Sequence, residues 1–431
     1  MKLRLLLAFS IFSAALSAQT YELLLKGGHV MDPKNNVNGV MDVAIADGKI
    51  AQVAPNIPTG QAQKVVDVRG LYVTPGLVDM HVHVYASTGQ PRAYAGDLSL
   101  YPDGYTFRSG VTTAVDLGSS GWRNFADFKE HVIDRAKTRI FAMLNIVGHG
   151  MGGGAIEQNT EDMDPEATAK VARQYPNVIV GVKTAHFQAP EWTAVDSAVA
   201  AGKLADIPVV VDFGRPWPQR SYVKLVTEHL RPGDMSTHMY STASMPLVDD
   251  NGKVLPALLE ARKRGVKFDV GHGGGSFVWF LAVPAIKAGW VPDSISTDLH
   301  VGSMNAGMKD MPTTMSKILN LGVPLYDVIR MSTINPATQI HRPEYGHLSV
   351  GAVADVAVLR LDKGHFGFQD ARGARLMGTQ KLVCELTLRD GRVVWDLNGR
   401  AGEEWEKFYS DPAHRRSPAR PGTPGATRSG L

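Results

Sequence analysis

The stretch VTPGLVDMHVHVY, residues 73–85, is an apolar segment that carries three polar side chains near its C-terminal end, Asp79, His81 and His83. Side chains two residues apart on a β-strand point to the same side, so the two imidazoles can face one ion together. Neutral imidazole is a common nitrogen ligand for Zn²⁺. The stretch therefore predicts a strand with two candidate metal ligands, although paired strand histidines can also hydrogen-bond within a core or face water.

Seven more apolar runs follow, and most of them end in a polar or ionisable residue. They are VTTAVDLG, RIFAMLNIVG, NVIVGVKTA, IPVVVDFG, DMSTHMY, KFDVGHG and SISTDLH. Segments with helical spacing lie between them, such as residues 164–176 and 254–265. Alternating strands and helices are typical of a parallel sheet. Eight such units in residues 76–345 predict an α/β fold with a (β/α)8 TIM barrel, whose chemistry lies at the C-terminal ends of the strands.

Residues 19–75 and 346–400 have a different sequence pattern, in which strand-like runs are separated by turns. Each segment contains a hairpin dipeptide, Asp47-Gly48 in the first and Asp390-Gly391 in the second. Two β-rich segments at opposite ends of a chain can pair with each other. We therefore expect a small β-sandwich domain formed by both chain ends, with the barrel inserted between its halves.

The two termini have compositions of their own. Residues 1–18, MKLRLLLAFSIFSAALSA, place two cations before a short apolar run that ends in small residues, which is typical of a signal peptide. We expect export to the periplasm or the medium; an uncleaved anchor and a buried first helix are the alternatives. Residues 401–431 form a C-terminal extension, and its tail from about Asp411 is rich in Pro, Gly, Ser and Arg and is expected to be mostly disordered.

Composition narrows the classes of function. The 431 residues include 45 Lys and Arg against 42 Asp and Glu, a net charge of +3, and no basic stripe with interleaved aromatics indicates nucleic acid as a partner. After the N-terminal segment, no run has the ~18 apolar residues of a membrane span. Cys384 is the single cysteine, which excludes an intramolecular disulfide. The expected partner is a small-molecule substrate, and assembly into a homo-oligomer stays open.

Residue types that bind metals recur at the ends of the later strand runs. Lys183 follows NVIVGV, His238 lies near the end of the sixth run, His272 in the seventh and Asp298 in the eighth. A lysine at the inner end of a buried strand is costly unless it is paired or chemically altered. Because the C-terminal ends of barrel strands share one face, these residues predict a common metal site with the two histidines of the first strand.

Together these motifs resemble the amidohydrolase superfamily of metal-dependent hydrolases, and most closely its dihydroorotase-like amidohydrolase/deacetylase branch. The resemblance covers almost the whole mature chain and rests on LLLKGGHVMDP, VAIADGKIAQV, VTPGLVDMHVHV, SGVTTAVDLGSSG and INPATQIHRPEYGHLSVGAVADVAVL. It implies a site with one or two divalent metal ions, with Zn²⁺ as the leading candidate, and a lysine that is carboxylated by CO₂.

The resemblance implies roles for five residues. His81 and His83 would bind the more buried metal, and carboxylated Lys183 would bridge two metals. His238 would bind the second metal, and Asp298 would bind metal and shuttle a proton. The alternatives are that Lys183 snorkels to solvent, that His238 is a core histidine and that Asp298 is a helix N-cap.

The fifth strand departs from the family pattern, because it has Asp212 where the family usually has a histidine. A carboxylate can still bind the second metal, with harder oxygen character than imidazole. The site could then prefer another metal, hold its second ion more weakly, or hold one ion only. His186, three residues after Lys183, could substitute as a ligand, and the alternative is a loop histidine in solvent.

Three further histidines are candidate substrate contacts. His149 lies in the glycine-rich loop GHGMGGGA, residues 148–155, and His272 lies in VGHGGGSF. His300 follows Asp298 by two residues. The alternative for each of them is a structural role or a position in a loop without contact to substrate.

The resemblance implies hydrolysis of an amide, a cyclic amide or an ester, as in a deacetylase. A metal-activated water would attack the carbonyl, and Asp298 would accept a proton from that water and pass it to the leaving group. Ring opening, N-acyl amino acid deacetylation and esterolysis stay open as reactions. A function of another class is a non-catalytic binding protein on a retired amidohydrolase scaffold, which Asp212 in place of histidine would fit.

Overall fold

The computed structural model describes residues 20–416. The signal peptide predicted at residues 1–18 and the tail beyond residue 416 lie outside the described residues. The strands are β1 Tyr21–Asp32, β2 Val37–Ala46, β3 Lys49–Ala54, β4 Ala62–Asp67, β5 Tyr72–Pro75, β6 Leu77–Val82, β7 Val111–Gly121, β8 Arg139–Asn145, β9 Ile179–Thr184, β10 Val209–Val211, β11 Met235–Ser236, β12 Lys267–Phe268, β13 Val356–Gln369, β14 Arg375–Arg389 and β15 Arg392–Asp396.

The helices lie mostly between the strands of the central segment. They are α1 Asp103–Thr106, α2 Phe125–Phe128, α3 Pro165–Gln174, α4 Thr193–Ala205, α5 Tyr222–Lys224, α6 Pro256–Lys263, α7 Trp279–Lys287, α8 Val301–Met304, α9 Met311–Asn320, α10 Leu325–Met331, α11 Ile334–Gln339 and α12 Trp405–Phe408. None of the described helices is both long and apolar enough to cross a lipid bilayer. The predicted helices at 164–176 and 254–265 correspond to α3 and α6.

The central segment forms a curled, parallel sheet of seven strands in the order β6 to β12. All six residues of β6 and all six of β9 are buried, as expected for parallel strands that are covered on both faces. The eighth predicted run, residues 294–300, is not a continuous strand. It makes single parallel bridges to either end of the sheet, from Ser294 to Asp269 and from Leu299 to Val82.

Strands from both chain ends form a second sheet. Its order is β15-β14-β13-β5-β1-β2-β3, and β4 pairs with β1. β13, from the C-terminal segment, pairs antiparallel with β5, from the N-terminal segment. Both predicted hairpin dipeptides have positive φ at each residue, 51° and 69° at Asp47-Gly48 and 52° and 76° at Asp390-Gly391, which suits tight hairpin turns. The packing of this sheet into a sandwich stays a prediction.

The C-terminal extension begins with described residues that have local structure. α12 is followed by a 3-10 turn at Pro412–Arg415, which Asp411 caps by accepting a hydrogen bond from the amide of Ala413. Residues 417–431, the greater part of the tail predicted from about Asp411, lie outside the described residues.

Candidate metal centre

Six candidate ligands from the sequence lie at or just beyond the C-terminal ends of the parallel strands. Because parallel strands all end at the same edge of a sheet, side chains at these ends can converge. Five of the six residues are at most 7% exposed, and the side chain of Asp212 is 12% exposed. The six are His81, His83, Lys183, Asp212, His238 and Asp298.

Asp298 is the centre of the first group of contacts. Its Oδ1 lies 3.4 Å from Nε2 of His81 and 3.1 Å from Nε2 of His83. Ligand atoms of His81, His238 and Asp298 all lie within 4.8 Å of one another. The structure therefore brings imidazole and carboxylate donors from three distant parts of the chain around one point, as a metal ion requires.

The hydrogen bonds of the imidazoles leave Nε2 free to bind a cation at His238 and His81. Nδ1 of His238 lies 2.5 Å from the carbonyl oxygen of Gly271, which can only accept, so Nδ1 carries the proton. Nδ1 of His81 lies 3.0 Å from the hydroxyl of Thr237, and that hydroxyl donates to Asp269. Carboxylates and carbonyls that orient a histidine in this way are typical of metal-bound imidazoles.

His83 has a similar outer partner, because its Nδ1 lies 3.0 Å from the hydroxyl of Ser119. All three imidazoles of the predicted set therefore use Nδ1 for an outer hydrogen bond and have Nε2 beside a carboxylate. The donor set fits one or two divalent metal ions.

Lys183 is fully buried, and its Nζ has no hydrogen-bond partner among the described residues. Burial lowers the pKa of its amine, and the attraction of Asp212 and Asp298 does not offset this effect. The structure rules out the alternative of a lysine that snorkels to solvent. An unpartnered buried amine is costly, and carboxylation would convert it into an anionic oxygen donor next to the two carboxylates.

Gly118 provides the space for the lysine. A Cβ at Gly118 would lie 2.9 Å from Cβ and 2.8 Å from Cγ of Lys183, and the glycine has a φ of +87°. Both observations require a residue without a side chain at this position in β7. The motif VTTAVDLGSSG thus contributes to the centre indirectly, by letting the lysine stem pass.

Asp212 is in contact with His186, for which the sequence left open a role as metal ligand or a position in a solvent-exposed loop. Nε2 of His186 lies 3.2 Å from Oδ2 of Asp212, and Nδ1 lies 2.8 Å from Oε2 of Glu157. Burial alone would raise the pKa of Asp212, but His238 and His186 hold it well below its usual value. Burial alone would lower the pKa of His186, but Asp212 and Glu157 raise it to about 10. His186 therefore pairs with two carboxylates, one of which is the candidate ligand Asp212.

Backbone strain is concentrated at these residues. His186, His238 and Asp298 have φ values of +57°, +59° and +51°, in the left-handed region that side chains other than glycine rarely adopt. Such strain persists where the surrounding structure enforces it, and it clusters at functional sites. A Cβ at Gly273 would lie 2.2 Å from Oδ2 of Asp298, so the glycine-rich segment after β12 gives the aspartate its room.

Asp298 is not the N-cap of the following helix. That position belongs to His300, whose Nδ1 accepts a hydrogen bond from the amide of Gly302 at 3.0 Å. Burial alone would raise the pKa of Asp298, but His81 and His83 keep it well below its usual value. The low pKa favours the ionised form of this carboxylate.

The three candidate substrate contacts differ in position. His300 faces the centre, with Nε2 3.9 Å from Oδ2 of Asp298. His272 does not, because its Nδ1 donates to the carbonyl of Gly273 and its Nε2 lies 2.6 Å from Nζ of Lys317. Its ring also stacks on Phe277 at 4.7 Å between centroids. The nitrogens and the ring of His272 are therefore all engaged in contacts with Gly273, Lys317 and Phe277.

The third candidate, His149, is exposed, and its side chain makes no hydrogen bond, ion pair or ring contact among residues 20–416. It does not line the cavity of about 410 Å³ that opens beside the centre. That cavity is lined by Arg92, Tyr94, Gly153, Gly154, Glu157, Gln158, His186 and Gln188.

Sequence reasoning missed two residues of the site. The ring of Tyr94 lies 4.6 Å from that of His83 and 5.0 Å from that of His300, between centroids. Glu157 is 3% exposed, although it lies in a glycine-rich and polar stretch of sequence. Neither residue follows a strand run or belongs to a recognisable motif, so no sequence signal distinguished it from other loop residues.

The chain is similar to known proteins over most of its length. A family model described as the amidohydrolase family matches residues 270–395. A deacetylase from Agrobacterium fabrum is 32% identical over 334 residues, which are 76% of this chain and 80% of that protein.

Solved structures show the same relation. An adenine deaminase superposes with a TM-score of 0.77 at 26% identity, covering 87% of this chain and 100% of that chain. A dihydroorotase superposes with a TM-score of 0.75 at 29% identity, covering 87% of this chain and 99% of that chain. Sequence and fold thus point to the same group of proteins.

Proposed function

This chain belongs to the amidohydrolase family, and from that membership and the geometry of its metal centre we propose that it hydrolyses the amide bond of an N-acylated small molecule. The observation that carries the proposal is the convergence of imidazole nitrogens on two carboxylates beside a buried lysine that has no hydrogen-bond partner within residues 20–416. The relative that matches three quarters of the chain is named a deacetylase, which supports removal of an acyl group from nitrogen.

The proposed metal ligands are the six residues at the strand ends, with Lys183 in carboxylated form. Zn²⁺ suits a donor set of imidazole and carboxylate groups. A bound divalent ion supplies Lewis acidity, which lowers the pKa of water and polarises a carbonyl group. The protein contributes the fixed positions of the donors, since the outer nitrogens of His81 and His238 are held by Thr237 and by the carbonyl of Gly271.

Asp298 is the proposed proton carrier. Because His81 and His83 hold its pKa low, the carboxylate is a weak base, and it would accept a proton from the attacking water only where a bound metal ion makes that water more acidic. The protonated carboxyl group of Asp298 can then deliver that proton to the nitrogen of the leaving amine. The room that Gly273 leaves next to Oδ2 keeps this oxygen free of a side-chain neighbour from that loop.

The substrate reaches the centre through the cavity of about 410 Å³ next to His186 and Tyr94. A volume of this size accommodates a small molecule rather than a folded protein. Tyr94 and His300 lie beside the first metal ligands and are the proposed contacts to the acyl group. His272 and His149 are not part of this proposal, because neither side chain reaches the cavity or the centre.

The finer features of the fold belong to the same proposal. The single bridges of residues 294–299 to β6 and to the end of β12 support closure of the parallel sheet into an eight-stranded barrel. Pairing of β13 with β5 supports a separate small β domain built from both chain ends. Export through the N-terminal segment is proposed from its sequence alone.

Assays on a panel of N-acetylated amino acids and simple amides, with and without a chelator, test the proposed reaction. Chelation should abolish hydrolysis, and added Zn²⁺ or Co²⁺ should restore it. Asp298→Asn should lower kcat by about 10²–10⁴-fold, the usual contribution of a general acid–base group. Asp196→Asn is a matched control, because Asp196 pairs with His229 at the surface. Full activity of metal-free protein, or near-normal turnover by Asp298→Asn, would contradict the proposal.

A further inference from the structure

The centre contains two groups of the same kind. In the first, Nε2 of His81 and Nε2 of His83 both approach Oδ1 of Asp298. In the second, Nε2 of His186 and Nε2 of His238 approach Oδ2 of Asp212, at 3.2 Å and 3.5 Å. Each group thus places two imidazole nitrogens beside one carboxylate oxygen, and His238 lies between the groups, because its ligand atom is also within 4.8 Å of those of His81 and Asp298.

Lys183 is the residue that interacts with both groups. Its buried amine has no hydrogen-bond partner among the described residues, and it interacts electrostatically with both Asp212 and Asp298. A carboxylated lysine offers two oxygens, so it can serve one ion on each side.

We propose that His186 is a ligand of a second metal ion, together with His238 and Asp212. His186 then supplies the imidazole that the fifth strand lacks, and Asp212 adds a carboxylate next to it. The inference rests on the proposed function, because it takes the first metal site as given. It extends that function by assigning a loop residue to the binuclear centre and an orienting role to Glu157.

The outer nitrogen of His186 is held as a metal ligand requires. Its Nδ1 lies 2.8 Å from Oε2 of Glu157. The other oxygen of that carboxylate, Oε1, accepts a hydrogen bond from the amide of Gly153 at 2.9 Å. Glu157 is 3% exposed, whereas the side chain of His186 is 37% exposed, so the carboxylate is the buried member of this pair. A carboxylate–histidine pair directs Nε2 toward the metal and raises the basicity of the ligand.

The backbone also fixes the position of His186. Its φ of +57° is strained for a histidine, and its carbonyl oxygen accepts hydrogen bonds from the side-chain amides of Gln158 and Gln188. A Cβ at Gly214 would lie 2.8 Å from the carbonyl oxygen of Phe187, so the segment after Asp212 packs directly on the segment of His186. Strain that is enforced by such close packing indicates a specific position for the side chain.

An ion pair between His186 and Asp212 that binds no metal is the competing explanation. It would leave the protein with one metal ion, bound by His81, His83 and Asp298. The two explanations differ in the number of ions per chain, which can be counted without an activity assay.

The test uses the full chain as wild type, His186→Asn and His131→Asn. His131 is a matched control, since its Nδ1 also pairs with a carboxylate, that of Asp127, at an exposed position. Each protein is stripped with a chelator, reconstituted with Zn²⁺ in bicarbonate buffer and desalted, and zinc per chain is measured by plasma mass spectrometry. Wild type and His131→Asn should hold about two ions, and His186→Asn about one. Two ions in His186→Asn, bound as tightly as in wild type, would overturn the inference.

A rescue variant and an orienting variant complete the design. His186→Asn combined with Asp212→His returns an imidazole to the fifth strand and should restore binding of the second ion; failure to do so would count against the ligand role. If His186→Asn does not fold by circular dichroism, Glu157→Gln keeps the imidazole and should weaken the second zinc about 10–100-fold. An unchanged dissociation constant in that variant would overturn the inference.

The failure of this inference and the failure of the proposed function give different results. A wild type that holds about one zinc and loses hydrolysis on chelation would overturn the second site and leave the hydrolase intact. A wild type that holds two zinc ions lost through His186→Asn, yet hydrolyses none of the amides, would support the second site and refute the proposed reaction.

Discussion

Replacing Lys183 with methionine should stabilise the metal-free protein while it abolishes hydrolysis. The amine is fully buried and has no hydrogen-bond partner among the described residues, and burial lowers its pKa. A buried polar group without a partner costs about 1–3 kcal/mol. Methionine is unbranched and adaptable enough to fill the same space without that cost. The free energy of unfolding should therefore rise by about 1–3 kcal/mol.

The assay is urea unfolding of chelator-treated protein in buffer depleted of CO₂, followed by circular dichroism. Lys317→Met is the control, because Lys317 is equally buried but donates to the carbonyls of Gly307 and Gln369 at 2.7 Å and 2.5 Å. Its third donor faces Nε2 of His272. Burial lowers the pKa of Lys317 to about 7, but loss of its hydrogen bonds would leave two buried carbonyls without a partner and should destabilise the protein by about 1–3 kcal/mol.

The two lysines should thus respond with opposite signs. If both substitutions shifted the free energy of unfolding in the same direction, the reasoning from hydrogen-bond partners would be refuted. If Lys183→Met kept full hydrolytic activity, the role of the lysine in the centre would be refuted as well.

Other predictions concern the surroundings of the centre. Gly118→Ala should lower the free energy of unfolding by about 1–3 kcal/mol in urea titration, because a Cβ would lie 2.9 Å from Lys183 at a positive φ. Thr237→Val should weaken zinc binding about 10–100-fold in competition dialysis, since Nδ1 of His81 loses its partner. Burial raises the pKa of Cys384 to about 12, so iodoacetamide at pH 8 should label this thiol slowly in the folded protein and quickly after unfolding.

Residue patterns alone predicted the architecture and the principal candidate ligands of this protein. Alternating apolar runs and helical segments indicated a parallel α/β sheet, and seven of the eight runs contain strands β6 to β12. The dipeptides Asp47-Gly48 and Asp390-Gly391 indicated hairpins, which the positive φ values confirm. These features are local: periodicity and turn chemistry are properties of neighbouring residues, and they survive in any fold that the segment joins.

The sequence also predicted that the candidate ligands lie near each other, because each of them lies near the end of a strand-like run. Because strands of a parallel sheet all end at one edge, a residue at the end of each run has a known position without any knowledge of the loops. His81, Lys183, His238 and Asp298 followed this rule and converge in the structure.

Tertiary structure alone decided which loop side chains lie beside the candidate ligands. His186 meets Asp212 and Glu157 because the loops after β8, β9 and β10 pack against one another, and Tyr94 reaches His83 from a loop with no motif. Tertiary structure also decided the position of His272. Its glycine-rich motif suggested a substrate contact, but its two ring nitrogens are hydrogen-bonded to the carbonyl of Gly273 and to Nζ of Lys317. A sequence pattern specifies which residues are buried and how they repeat, whereas contacts between loops depend on the three-dimensional path of each connection.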